Sequence, residues 1–247
     1  MIRTPFRYYG GKWRAAPRYP PPEHGLIIEP FAGAAGYACR YSDRDVLLID
    51  RSPTIAGIWA WLIGATRSDV LDLPGPPDGG AVDDIDAPQG ARDLVGFWMN
   101  NGASAPSKRP SRWVRDHPDK CGWEWARTRV AEIVDGIRHW KVQCGTYTDA
   151  PGIEATWFVD PPYQTPAGRH YPFSDVDYEH LGRWCQSRPG QVIVCEQAGA
   201  DWLPFRHFGH VKPTAGRHRS ARNDEVIWTS TPQEQVALWP GGAMLAR

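Results

Sequence analysis

Asp160-Pro161-Pro162-Tyr163 places a carboxylate, two prolines and an aromatic ring in succession, directly after the apolar run Trp157-Phe158-Val159. Those residue types suit one kind of substrate group, an amine conjugated to an aromatic base. Its lone pair is delocalised into the ring, so the nitrogen is a poor nucleophile until something localises that pair. Asp160 can accept one N–H, and the Pro161 carbonyl, aimed by the tight Pro-Pro turn, can accept the other. Two acceptors favour a pyramidal nitrogen whose lone pair faces a methyl donor, which combines electrostatic preorganisation with near-attack positioning. Tyr163 would then stack on the base. Prolines fix φ and donate no N–H, so they suit a rigid loop just past a buried strand, where open α/β sheets bind ligands. An ordinary strand-end turn can carry the same four residues, so the rest of the chain must decide.

Two stretches nearer the N-terminus supply partners. In Arg7-Tyr8-Tyr9-Gly10-Gly11-Lys12 the glycines allow close backbone approach and a lysine follows them. Leu26-Ile27-Ile28-Glu29 reads as a short buried strand running into Pro30-Phe31-Ala32-Gly33-Ala34-Ala35-Gly36 and a helix start. Gly33 and Gly36 there permit close approach to a ligand and tight strand–helix packing. The pattern is neither the dinucleotide Gly-x-Gly-x-x-Gly nor a phosphate loop. A second apolar strand, Val46-Leu47-Leu48-Ile49, ends in Asp50, the position from which an acid reaches a ribose diol in nucleoside-binding sheets.

The elements that must hold these residues follow from periodicity. Pro53 opens a helix through Ile63, with Ile55, Ile58, Trp59 and Leu62 on one apolar face. Residues 72–90, rich in Pro, Gly and Asp, read as loop, 91–99 as a short helix and 123–140 as helical. The sheet resumes at Val142 to Tyr147, continues at Trp157 to Asp160, and passes through a helix (Asp177 to Gln186) to Val192-Ile193-Val194-Cys195-Glu196. Weaker strands fall around Phe208 to Val211 and at Val226-Ile227-Trp228. The expected fold is α/β, a mainly parallel sheet with helices on both faces and residues 65–141 inserted as a largely helical unit between the second and third strands. Residues 1–64 and 142–247 would then form the catalytic part.

With 247 residues, 41% of them hydrophobic, the chain can bury a substantial core. It carries no apolar run of ~18 residues and no signal-peptide pattern, so the expectation is a soluble cytoplasmic protein with no membrane partner. The five cysteines lack a Cys-x-x-Cys pair, which argues for free thiols and against zinc; no His-x-x-x-His pair points to a metal either. Lys+Arg and Asp+Glu are both 28, so net charge does not indicate nucleic acid. Distribution does: 69–99 is acidic with Arg92 as its one base, whereas 101–130 is dominated by bases.

In this order, the Tyr8 to Lys12, Glu29 to Gly36 and Asp160 to Tyr163 stretches resemble the Dam-type DNA adenine-N6 methyltransferases, with the motif order of that family's α arrangement. The resemblance covers about residues 5–64 and 142–230, and the insertion lies where the family carries its target-recognition domain. It implies the methyltransferase sheet, S-adenosylmethionine as methyl donor and a flipped adenine in a specific double-stranded DNA sequence as acceptor. By position it implies that Tyr8, Lys12, Glu29, Phe31, Gly33, Asp50 and Asp160 contact the cofactor, and that Asp160, Pro161 and Tyr163 form the catalytic motif. Many relatives have an acid after the third strand, where this chain has Thr146-Tyr147 with Asp149 further on, so the contact to the cofactor's adenine stays open.

The same amine trap serves cytosine N4 or an RNA adenine, and a non-catalytic DNA-binding module on the same fold is a third alternative. Asp at the first motif position resembles the adenine enzymes more than the cytosine ones. Lys108, Arg109, Arg112 and Arg115 are the densest basic cluster of the insertion, expected as a loop at a groove because Pro110 and Trp113 interrupt it. Arg217 and Arg219 are expected to contact phosphates beside the flipped base.

Overall fold

A computed structural model describes residues 1–77, 80–100, 102–117, 122–211 and 223–230. In chain order the regular elements are β1 (Leu26–Glu29), β2 (Asp45–Asp50), α1 (Pro53–Gly64), α2 (Arg67–Leu71), α3 (Gln89–Trp98), α4 (Arg112–Asp116), α5 (Trp123–Ala131) and β3 (Lys141–Cys144). There follow β4 (Ala155–Val159), α6 (Tyr178–Gln186), β5 (Gly190–Gln197), β6 (Arg206–Val211) and β7 (Asn223–Thr229).

The strands form one seven-stranded sheet in the order β3-β2-β1-β4-β5-β7-β6. The first five are parallel to one another, while β7 runs antiparallel to both β5 and β6. The fold is therefore α/β with a mostly parallel sheet. From β1 the chain moves outward through β2 and β3, then returns to place β4 on the other side of β1. That reversal opens a crevice at the C-terminal ends of β1 and β4, where such sheets take ligands.

Side-chain alternation along the strands builds a core on each face. Ile27, Leu48, Phe158 and Ile193 pack with α1, α3 and the N-terminal segment on one face. Their neighbours Ile28, Ile49, Trp157, Val159, Val192 and Val194 pack with Leu181, Trp184 and Cys185 of α6 on the other. All five residues of β4 are buried, as a central parallel strand covered on both sides requires.

The stretch between β2 and β3 is largely helical. Its buried residues, including Val70, Val82, Leu94, Phe97, Val130 and Ile137, belong to the same apolar cluster as the first face of the sheet. Two expectations need correction. Residues 112–116 form a short helix rather than loop, because the Ser111 side chain accepts the Val114 N–H at 3.4 Å and caps the turn, and Pro110 lies before the cap, outside the helix. The expected helix over 123–140 stops at Ala131, and a 3-10 turn at Val134–Ile137 carries the chain to buried Trp140.

Cys39, Cys144, Cys185 and Cys195 are free thiols; Cys121 lies outside the described residues. Among the described residues no helix is long and apolar enough to cross a membrane.

Candidate functional site

A cavity of about 390 Å³ opens at the crevice beyond β1, β2, β3 and β4, within the range of small-molecule sites. Tyr8, Lys12, Glu29, Phe31, Gly33, Asp50 and Asp160 all line it. Three segments far apart in sequence thus meet at one place.

The glycine loop after β1 is held from two directions. Gly33 has φ of +46° and donates its N–H to Asp50 Oδ2 at 2.9 Å, while its carbonyl accepts the Trp59 indole N–H at 2.8 Å. Asp50 Oδ1 accepts the Ser52 N–H at 2.9 Å. Burial pushes the Asp50 carboxyl up, against the pull of these two amides. Asp50 therefore shapes the loop as well as facing the cavity. Trp59 was expected only as a core residue of α1; an indole N–H that needs a buried acceptor was the available signal of its second task.

Gly36 is needed for a different approach from the one its motif suggests. A Cβ there would lie 2.6 Å from the Trp13 backbone nitrogen and 2.9 Å from that of Lys12. The close contact is with the N-terminal segment, and it seats Lys12. Gly36→Ala is expected to push that segment away, at roughly 1–3 kcal/mol of stability, and to weaken ligand binding with it. Urea unfolding and calorimetry check this, and unchanged values in both would contradict it.

Lys12 is 6% exposed and Asp160 18%. The Lys12 ammonium lies 2.7 Å from Asp160 Oδ1 and 2.9 Å from Oδ2, donates to the Gly10 carbonyl at 3.0 Å, and stands 3.6 Å from Glu225 Oε1. Only the Oδ2 contact has hydrogen-bond geometry. Among the described residues Asp160 Oδ1 is buried and accepts no hydrogen bond of good geometry, and it is held 2.7 Å from the Lys12 ammonium. Burial pushes the Asp160 carboxyl up to about 6, with Lys12 opposing the rise and Glu225 adding to it. Burial would lower the Lys12 ammonium, but Asp160 and Glu225 more than offset this and hold it above its ordinary value.

Glu29 is 2% exposed, and its Oε1 accepts the Ala38 N–H at 2.6 Å. Burial pushes its carboxyl up to about 8 despite that bond. The Phe31 and Tyr147 rings stack at 5.7 Å and 27° on the β1 and β3 sides of the cavity. Thr146 and Tyr147 line the cavity, whereas Asp149 turns back to accept the Thr146 N–H at 2.7 Å.

Pro161 is buried and, like Tyr163, is not among the cavity-lining residues. The Tyr163 hydroxyl donates to Glu225 Oε1 at 2.8 Å, and its ring lies 4.8 Å from the Lys12 ammonium. The stacking face expected at Tyr163 is thus turned to Lys12. The segment after the motif instead brings Tyr171, Pro172 and Phe173 to the cavity, with the Tyr171 hydroxyl donating to the Tyr9 carbonyl at 3.0 Å. Across the mouth, Arg51 and Asp175 pair at 2.7 Å.

No protein-family model matches the chain, and no curated protein matches it. The functional reading therefore rests on these residues.

The expected DNA-contacting residues divide. Lys108 pairs with Asp83, Arg112 lies 3.6 Å from Asp116, and the Arg115 guanidinium donates to the Pro110 carbonyl at 2.7 Å. Lys108 and Arg112 are highly exposed. The same segment reaches the site: Ala103 accepts the Tyr9 N–H at 3.2 Å, and the Ser104 hydroxyl donates to the His170 carbonyl at 2.7 Å. Arg217 and Arg219 lie outside the described residues. Among those described, no group of three His, Cys, Asp or Glu side chains could hold a metal ion.

Proposed function

We propose that this chain transfers a methyl group from S-adenosylmethionine to the N6 amino group of an adenine flipped out of a specific double-stranded DNA sequence. The convergence of the Tyr8 to Lys12 segment, the loop after Glu29, and Asp160 with Pro162 on one cavity carries this reading.

The cavity's charge fits the donor. Asp50, Asp160, Asp175 and Asp177 line it against the bases Lys12 and Arg51, which are already paired with Asp160 and Asp175, while Glu29, raised to about 8, is mostly protonated at neutral pH. Such a lining favours a cationic ligand bearing hydroxyls and disfavours phosphates. Asp50 would hold the ribose hydroxyls, Phe31 and Tyr147 the purine face, and Lys12, Glu29 and Asp160 would surround the amino-acid portion. When bound, S-adenosylmethionine supplies an electrophilic methyl group on a positively charged sulfur.

The remaining chemistry belongs to the chain. The Asp160 carboxylate accepts an N–H of the incoming amine, and the nitrogen lone pair is thereby localised; the Pro161 carbonyl, expected as the second acceptor, belongs to a buried residue that does not line the cavity. Flipping costs a few kcal/mol, about the amount that base and backbone contacts can offset. The 103–104 contacts keep Lys108, the first residue of the basic cluster, within ~14 Å of Ser104, since four residues of chain span at most that.

Replacing Asp50 by Ala should weaken S-adenosylmethionine binding by roughly 1.5–3 kcal/mol, the range for hydrogen bonds to a charged group. Asp50→Asn, which keeps an acceptor for the Gly33 amide, should retain part of the affinity. Calorimetry showing unchanged affinity in both variants would remove Asp50 from the binding residues. Nucleoside analysis of treated DNA and RNA tests the function itself: N6-methyladenine in DNA is expected, and N4-methylcytosine or methylated RNA would assign the amine trap to the other acceptors.

A further inference from the structure

Glu225 lies on the reversed strand β7, outside every motif that points to the site, yet it faces the Lys12–Asp160 pair from behind. It is 4% exposed. Its Oε1 accepts the Tyr163 hydroxyl and its Oε2 the Tyr19 hydroxyl, each at 2.8 Å, and Lys12 Nζ stands 3.6 Å from Oε1. One buried ammonium is therefore shared by two buried carboxylates.

The sheet is locally built to aim this side chain. Strand β6 pairs His207 with Val226 and Gly209 with Glu225, so the register shifts at Phe208. A bulge of this kind bends the strand and re-aims side chains. Gly209 takes φ of +136°, and a Cβ there would run into the Arg18 guanidinium. The Phe208 ring at the bulge stacks on Tyr19 at 4.5 Å and 7°, and Tyr19 in turn holds Glu225. An irregular edge strand, two phenols and a lysine thus converge on one carboxylate that does not itself line the cavity.

We propose that Glu225 is a positioning and specificity-determining residue: through Lys12 and Tyr163 it fixes the Asp160 carboxylate, and it leaves the buried cluster with an excess of negative charge that selects a cationic sulfonium donor over its neutral thioether product. This rests on the methyl-transfer reading above. The charge that the ligand loses on reaction is the one this cluster favours, so the spent product is held less tightly than the donor. With all three ionised, Lys12, Asp160 and Glu225 carry a net charge of −1, so the cluster attracts a sulfonium on balance.

The groups facing Glu225 are Lys12 from the N-terminal segment, Asp160 and Tyr163 from the loop after β4, Tyr19, and Cys195 from β5. Cys195 and Tyr163 are pushed upward by burial first and by these carboxylates second, and Tyr19 by burial, then Cys195, then the carboxylates, so all three stay neutral. Of the groups facing Glu225, Asp160 titrates near neutrality, raised to about 6 by burial with a contribution from Glu225; Glu29, which faces Asp160 from β1, is raised to about 8 and is mostly protonated below that. Removing the Glu225 charge should therefore move the acid limb of the kcat/KM profile to lower pH.

The test is calorimetry of Glu225→Gln and the wild-type chain at pH 7.5 with S-adenosylmethionine and with S-adenosylhomocysteine, joined to the pH profile of methyl transfer. The expected result is a roughly tenfold fall in the donor-over-product affinity ratio in Glu225→Gln, a downward shift of the acid limb, and restoration of the ratio in Glu225→Asp. A folded Glu225→Gln with the wild-type ratio and an unmoved limb would overturn the proposal while leaving the methyl-transfer reading intact. Wild-type protein that binds neither ligand would overturn both. A second measurement needs no variant: wild-type preference for the donor should shrink as pH falls through about 6, where Asp160 takes up a proton, and a preference constant from pH 7 to 5, below the Glu29 value of about 8, would count against the excess charge.

Discussion

Asp160→Ala is expected to lower methyl transfer by roughly 10²–10³-fold, the usual effect of removing a preorganised group at the reacting atom. The variant loses the acceptor carboxylate and also strands Lys12, whose remaining carboxylate partner, Glu225, lies 3.6 Å away. Breaking a buried pair in this manner typically costs about 3–5 kcal/mol of stability, so Asp160→Asn is the more informative partner. It keeps the shape and one acceptor oxygen but removes the charge. Single-turnover methyl transfer, measured beside thermal unfolding, separates the two effects. Both variants should be slow, and Asn should be the better folded. Turnover at the wild-type rate in either would remove Asp160 from the chemistry.

The second large effect concerns DNA. Replacing Lys108, Arg109, Arg112 and Arg115 together by Gln should lower DNA affinity by roughly 10²-fold or more and reduce the salt slope by up to about 3–4, at ~0.9 per phosphate contact. The present partners of Lys108 and Arg112 do not oppose this. Lys108–Asp83 and Arg112–Asp116 are exposed pairs, and such pairs contribute little, so both cations can turn to phosphate. Within the cluster, Arg112 and Arg115 sit on α4, whose capped helix holds them at defined positions. One of them is expected to read a base, at ~1–3 kcal/mol on the cognate site alone. Cofactor affinity should not change. Filter binding across ~50–200 mM salt provides the readout, and unchanged affinity and site choice would place recognition elsewhere.

The strands were legible because buried parallel strands need short apolar runs, and Leu26 to Glu29, Asp45 to Asp50 and Ala155 to Val159 have nothing else to be. The places where Lys12, Glu29, Asp50 and Asp160 would gather were legible too, since each stands at a strand end or beside a glycine turn. Second tasks were not. Asp50 ties down Gly33, Gly36 makes room for Lys12, and Tyr163 faces Lys12 rather than the cavity; each depends on a contact between distant segments that no local pattern encodes. Glu225 was missed for the same reason. Its one sequence signal is an acid entering the apolar run Val226-Ile227-Trp228, which reads equally well as the polar start of a strand. The α4 helix was missed because Pro110 and Trp113 were weighed as breakers, while Ser111, a good N-cap residue, was not weighed as a start.

The central claim is that the Lys12–Asp160 cavity delivers a methyl group to an exocyclic adenine nitrogen. Incubating the purified chain with unmethylated double-stranded DNA and S-adenosylmethionine carrying a labelled methyl group, then digesting to nucleosides and separating them, tests it most directly. The account predicts label in N6-methyladenosine's deoxy form alone, confined to adenines of one short sequence. Label in N4-methylcytosine, or no label in DNA of any sequence while the chain is folded and bound to the donor, would contradict it.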